Sequence, residues 1–190
     1  LAYLAAALIG MPEAKVLYQG QRMDAPEAIQ QAGIFPVQFD LEAKDASALI
    51  NGCTVSLAVA LLATQDAHAL LDNACISLAL SLEAMRADLS AFDARIHLAR
   101  PHAGQIKTAQ IVRQLMQDSS RASHAARAVQ FPEELRRSDQ TYTPRIQDVY
   151  SLRCAPQVYG PVFDALAYID TILQTEINSA TDNPLIFAKE

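Results

Sequence analysis

Towards the end of the chain Val158, Val162, Leu166, Ile169, Ile172, Leu173 and Ile177 follow one another mostly at steps of three or four. Side chains so spaced line one stripe of an α-helix, which predicts a helix from about Tyr159 to Asn178 with that stripe packed against protein. Pro184 biases Asn183 away from helical backbone, so the helix ends before Asp182-Asn183-Pro184. A different pattern runs from Cys53 to about Thr64, where nearly every side of the predicted helix is apolar. A helix without a polar face has to be enclosed, in a large core or at a subunit interface. From Asp66 to Met85 the helix continues as an amphipathic one.

Shorter elements are punctuated by glycine and proline. Lys15 to Met23 holds a central Gly20 between two short β-tolerant runs, the pattern of a small hairpin. Asp24-Ala25-Pro26-Glu27 then offers a helix cap with proline in the first turn, and Gly33 closes a helix over Ala25 to Ala32. Pro36 imposes an extended connector. A helix from Asp40 through Leu49 meets Asn51-Gly52, a pair tolerant of positive φ that marks a tight corner. A loop from Phe92-Asp93 to Pro101 leads to a helix from Gly104 to about Gln117, and Arg121 to Asp148 reads as an exposed, polar excursion.

Composition narrows the class. With 51% hydrophobic and 19% charged residues, the 190-residue chain is too apolar to be disordered. Alanine, leucine and glutamine, with some glutamate, outnumber the six glycines, which favours helix over sheet. The longest apolar runs, Val55 to Ala63 and Ala2 to Ile9, fall short of the ~20 residues a bilayer requires, so no membrane span is expected. The net charge of −6 argues against nucleic acid, which binds through clustered Lys and Arg. The one basic cluster, Arg136-Arg137 near Arg127 and Arg145, is interleaved with acids and reads as a solvated helix end. Cys53, Cys75 and Cys154 are widely spaced among apolar neighbours and are expected to be buried thiols in a reducing, cytoplasmic setting. The opening Leu1-Ala2-Tyr3-Leu4, with no Met, looks like a cut chain.

Familiar catalytic signatures are missing. His68, His97, His102 and His124 show no metal-binding spacing, and there is neither a nucleophile elbow nor a phosphate-cradling loop. The string Gln147-Asp148-Val149-Tyr150-Ser151-Leu152-Arg153-Cys154-Ala155-Pro156-Gln157 stands out instead. If it is helical, Gln147, Tyr150 and Arg153 share a face. A guanidinium forks a carboxylate through parallel N–H donors, and a phenol donates or accepts a proton. Spacing alone favours a solvated Arg beside a packed Tyr.

That string, followed by Glu176-Ile177-Asn178-Ser179-Ala180-Thr181-Asp182-Asn183-Pro184-Leu185-Ile186, closely resembles the aromatic amino acid ammonia-lyases, a family that includes histidine, phenylalanine and tyrosine ammonia-lyases and related aminomutases. Ala48-Leu49-Ile50-Asn51-Gly52, Phe92-Asp93-Ala94-Arg95-Ile96-His97 and Arg100-Pro101-His102-Ala103-Gly104-Gln105 resemble family segments in the family's order. The resemblance covers nearly the whole chain. It implies a mainly all-α fold, a long-helix bundle of the ammonia-lyase/fumarase-like type with a small hairpin near residues 15–23. Residues 1–190 would be a fragment of the central helical domain of a larger ammonia-lyase chain.

The family's electrophile is a methylidene-imidazolone, cyclised from an Ala-Ser-Gly tripeptide that precedes a segment resembling Leu1-Ala2-Tyr3-Leu4. No Ala-Ser-Gly occurs here, so the cofactor is expected upstream of this fragment, and the chain on its own is expected to be inactive. The resemblance assigns catalytic roles to Tyr150, near the prosthetic group and assisting proton movement, and to Asn51, at the substrate amine and the prosthetic ring. Arg153 would pair with the substrate carboxylate, with Gln147 and Asn183 orienting both by hydrogen bonds. His97 and His102 are read as surface or packing residues and Glu176 as a helix residue.

The implied reaction is loss of ammonia from an aromatic L-amino acid, most like histidine to urocanate, with phenylalanine or tyrosine lyase or aminomutase as the alternative. Removing a weakly acidic proton β to the amine needs an electrophile and a positioned base, and calls for no metal. The expected partners are a small-molecule amino acid and three further copies in a homotetramer with shared active sites, with no nucleic acid and no membrane. A reading from another class is a catalytically silent helical assembly protein that kept the core and lost the cofactor.

Overall fold

A computed structural model of the chain describes residues 1–122, 147–181 and 184–187, and they are mainly helical. They divide into two compact units, residues 1–60 with 175–190 and residues 61–174. Asn183, the excursion up to residue 146 and the basic cluster at Arg136-Arg137 lie outside the described residues.

The first unit opens with α1 (Ala2–Leu8) and a hairpin of β1 (Lys15–Tyr18) and β2 (Gln21–Asp24). The strands pair antiparallel from Lys15 opposite Asp24 to Tyr18 opposite Gln21, the hairpin expected from the sequence. Gln19 and Gly20 both take positive φ, 48° and 81°, the two-residue turn whose twist matches the strands. Asp24 then turns the chain into α2 (Ala25–Gln31), with Pro26 in the first turn, where its missing N–H costs nothing. Ala25 and Ala28 are buried where α2 packs on the hairpin.

Two expectations fail in the next stretch. The helix expected from Asp40 is α3 (Asp45–Asn51): Lys44 sits at φ 78° and the Asp45 carboxylate accepts the Glu42 N–H at 2.8 Å, so the local turn delays the start. Nor is Asn51-Gly52 a positive-φ corner. Asn51 is the last residue of α3, and Gly52 is extended at φ −65°, where a Cβ would meet the Ala48 carbonyl oxygen at 2.7 Å. Glycine is needed there for closeness of approach. Cys53 is exposed, its thiol 3.7 Å from the Thr181 hydroxyl, which corrects its placement as a buried thiol.

The long helix α4 (Thr54–Met85) starts in the first unit and continues into the second as one element. By length and composition it is apolar enough to cross a bilayer, more than the separate apolar runs suggested. Its second half is amphipathic, as the sequence predicts: Leu71, Cys75, Leu78, Ala79 and Leu82 are buried at helical spacing. They meet a 3-10 turn (Leu89–Phe92), α6 (Ala103–Leu115), α7 (Tyr150–Arg153) and α8 (Ala155–Ile177), while α5 (Ala94–Leu98) packs on the 3-10 turn and α6. The predicted loop after Phe92 holds α5, whose start is capped by the Asp93 carboxylate accepting the Arg95 N–H at 2.9 Å. One core cluster gathers Leu78, Leu82, Phe92, Val112, Met116 and Leu152, and a second gathers Leu71, Cys75, Phe163 and Leu166.

Helix α8 begins at Ala155, before the predicted Tyr159, and tolerates Pro161 within it. Of the predicted stripe only Leu166 and Leu173 are buried, while Val158, Val162, Ile169, Ile172 and Ile177 are exposed. The buried face runs through Pro156, Gly160 and Phe163, because α8 crosses α6 glycine to glycine. A Cβ on Gly104 would lie 2.0 Å from the Gly160 carbonyl oxygen, and the Gly104 N–H donates to the Asp164 carboxylate at 2.7 Å.

Candidate active site

The crossing fixes the start of α8, and α7 lies just ahead of it. Tyr150 and Arg153 stand three apart on α7, so their side chains overlap, with the Arg153 guanidinium carbon 4.2 Å from the centre of the Tyr150 ring. Arg153 Nε donates to the Asp148 carbonyl at 2.9 Å, and Nη1 lies 3.8 Å from Cys154 Sγ. One edge of the guanidinium is thus committed to the chain, which orients the Nη groups as the pair that can meet an anion. Tyr150 is exposed, and among the described residues nothing engages its hydroxyl.

Arg153 lines an open cleft of about 340 Å³ with Gln147, Asp148, Cys154 and Gln157 on one side and Asp88, Ser90, Ala91 and Ile96 on the other. Gln147 precedes α7 in non-helical backbone, so the shared helical face predicted for Gln147, Tyr150 and Arg153 is made by the last two alone. The cleft nevertheless brings Gln147 and Arg153 together. Asn51 belongs to the first unit, at the end of α3, where its Nδ2 donates to Ser47 Oγ at 3.3 Å.

The far wall of the cleft is held from behind. His97 is buried, its Nε2 donating to the Ala91 carbonyl at 3.1 Å and its Nδ1 accepting from Gln105 Nε2 at 3.0 Å. Burial lowers its pKa, with the neighbouring Arg113 charge acting in the same direction, so the ring stays neutral. Of the surface or packing placement expected from the sequence, the structure shows the packed one. His102, exposed, only precedes α6 as its cap residue. Arg113 Nη1 donates to the Phe92 carbonyl at 2.7 Å. At the start of α5, hydrogen bonds from Arg95 hold the Asp93 carboxyl well below the usual carboxylate range. Cys75, buried away from the cleft, has its thiol pushed up by desolvation and so stays protonated.

Asp148 is the residue the sequence reading passed over. It is 5% exposed, with its carbonyl on Arg153 and its carboxylate accepting the Asp88 N–H at 2.6 Å. Its polarity gave no signal, since acidic residues are mostly solvated. Among the described residues no cluster of His, Cys, Asp and Glu could hold a metal ion.

A family profile described as aromatic amino acid lyase matches residues 1–190. A histidine ammonia-lyase of Alkaliphilus oremlandii is 40% identical over 195 aligned residues, covering 100% of this chain and 34% of that protein. One of Koribacter versatilis is 43% identical, covering 98% of this chain and 33% of its own length. Among solved structures, the tyrosine aminomutase of Streptomyces globisporus matches with a TM-score of 0.81 and 38% identity, over 98% of this chain and 36% of that one. The chain therefore spans about a third of the length of the curated relatives it matches.

Proposed function

Because this chain belongs to the aromatic amino acid lyase family, we propose that the longer protein of which it forms part eliminates ammonia from an aromatic L-amino acid, L-histidine to urocanate. The observation that carries this reading is the match, along essentially the whole chain, to proteins named histidine ammonia-lyase at 40% and 43% identity. The likeness to a tyrosine aminomutase keeps a second reading, a phenylalanine or tyrosine lyase or aminomutase on the same scaffold.

The chemistry needs three things of the protein: a hold on the carboxylate, a path for the β-proton, and an electrophile that engages the substrate so that the Cα–N bond can break. Arg153 provides the first. With Nε bound to the Asp148 carbonyl, it meets the carboxylate end-on through Nη1 and Nη2, while the Tyr150 ring supports its face. Gln147, on the same cleft wall, adds an amide to orient the carboxylate, and Asn183 is assigned the same duty. Tyr150 offers its hydroxyl for proton movement.

A methylidene-imidazolone would supply the electrophile. Its carbonyl oxygen would need a neutral donor, a type that the exposed Tyr150 phenol and the Asn51 amide, whose Nδ2 makes a long 3.3 Å bond to Ser47 Oγ, both offer. Each residue by itself is of the donor type the group would need, and in the proposed shared site Tyr150 and Asn51 would be supplied by different chains.

The proposed assembly is a homotetramer with shared sites in the cytoplasm. It is supported by apolar faces left exposed in one chain: Val55, Val59 and Leu62 on α4, and Val158, Val162 and Ile169 on α8. Asp66, His68 and Asp72 along α4 favour a protein partner over lipid as its cover, and His68 pairs with Asp170 of α8 at 3.0 Å. Three free thiols accord with a reducing compartment. The test is to supply the full-length protein with L-histidine, L-phenylalanine and L-tyrosine and follow ammonia and the unsaturated acid. Release from L-histidine supports the proposal; release from none of the three removes it.

A further inference from the structure

The cleft has two walls that come from distant parts of the chain, and one buried residue is bonded to both. On the near wall the Asp148 carbonyl accepts from Arg153 Nε at 2.9 Å. On the far wall the Asp148 carboxylate accepts from the Asp88 N–H at 2.6 Å, and the Asp88 carboxylate in turn accepts from Ser90 N–H at 2.9 Å, capping the 3-10 turn. Ser90 and Ala91 of that turn line the cleft opposite Arg153. A carboxylate 5% exposed has given up most of its hydration, and it is held there by hydrogen bonds that are worth more because the acceptor is charged.

We infer that Asp148 is a positioning residue that couples the Asp88–Phe92 turn to Arg153, so that the carboxylate fork and the opposite wall of the cleft keep one geometry. The inference rests on the proposed carboxylate-binding role of Arg153 and adds to it the residue that sets the fork's orientation. Backbone and side chain of Asp148 act on different walls. A shift of the turn therefore pulls on the carboxylate of Asp148, rotates its peptide and moves the carbonyl that holds Nε.

The experiment uses the full-length enzyme with Asp148→Ala, Asp148→Ser, whose hydroxyl is too short to reach the turn, and Asp148→Asn, which keeps an acceptor for the Asp88 N–H. In the first two, KM for L-histidine should rise about tenfold or more, the scale of losing a charged hydrogen-bond acceptor. Turnover at saturation should change far less, and inhibition by L-histidinol, which lacks the carboxylate, should stay as in the parent. Asp148→Asn should recover most of the loss. Parallel loss of histidine and histidinol binding, or of turnover alone, overturns the inference.

Amide hydrogen exchange supplies a readout independent of activity. In Asp148→Ala it should speed up both in residues 88–92 and in residues 149–153, and leave the hairpin at residues 15–24 unchanged. If the variants fail to fold, the parent protein still decides, since the two segments should open at one common rate. Separate opening rates overturn the coupling. A parent enzyme inactive on every aromatic amino acid removes the proposed function while the exchange result stands by itself.

Discussion

Replacing Gly104 by Ala places a methyl group where the structure has backbone. The new Cβ would lie 2.0 Å from the Gly160 carbonyl oxygen, 2.8 Å from its carbonyl carbon and 2.9 Å from Asp164 Oδ1. A carbon and an oxygen sit comfortably at about 3.2 Å or more, so α6 and α8 have to part by roughly 1 Å. A gap of that size forfeits a quarter to a half of the dispersion well at each contact nearby. Separation also strains the bond from Gly104 N–H to Asp164. Overpacking of this kind costs about 3 kcal/mol, against about 1 kcal/mol gained because alanine is the better helix former. The net loss of about 2 kcal/mol should lower Tm by roughly 4 to 8 °C in a protein of this size. Thermal and urea unfolding followed by circular dichroism measure it, and Gly160→Ala should behave alike, since its Cβ would meet the Gln105 backbone nitrogen at 2.6 Å. Either variant unfolding at or above the parent's temperature would refute the close crossing.

Arg153→Lys in the full-length enzyme should raise KM for the amino acid about 10- to 100-fold, since an ammonium reproduces neither the bidentate fork nor the bond to the Asp148 carbonyl; an unchanged KM would make Arg153 purely structural. Tyr150→Phe keeps the ring under Arg153 and removes the hydroxyl, so steady-state kinetics should show KM within about threefold and turnover reduced at least about 100-fold. Stability should fall as pH drops below about 6.5, because His97 has a lowered pKa when folded and the unfolded chain takes up the proton first. That slope continues down to the folded pKa, and urea midpoints across this range should flatten in His97→Gln.

Much of the fold was legible because its signals are local. The Gln19-Gly20 turn, the proline in the first turn of α2 and the helical spacing of Leu71, Cys75, Leu78 and Leu82 each depend on neighbours within one or two turns. The pair Tyr150 and Arg153 was legible for the same reason. Asp148 was not: its carboxylate is bonded to a backbone N–H sixty residues away, and such a bond leaves no periodic trace in sequence. The Gly104–Gly160 crossing escaped notice similarly, because glycine buries through closeness and contributes nothing to a hydrophobic pattern. The early start expected for α3 failed because the left-handed Lys44 and the Asp45 carboxylate form a turn that apolar periodicity does not encode.

The stripe on α8 makes a different point about what apolar periodicity reports. At 100° per residue, the exposed Val158, Val162, Ile169 and Ile172 lie roughly 160° around the helix from the buried Pro156, Gly160 and Phe163. The helix therefore carries two apolar faces. One is filled by α6 within the chain, largely through small residues that a hydrophobicity pattern underrates. The face that the pattern picks out most strongly is the one a single chain leaves open, and the first half of α4 repeats the arrangement, with Val55, Val59 and Leu62 exposed. Large branched side chains kept on an open face lower solubility unless something covers them. Under the proposed assembly, such a pattern would record burial that one chain does not show. The two strongest apolar signals in this chain both concern faces whose cover another chain would provide, as the proposed tetramer requires.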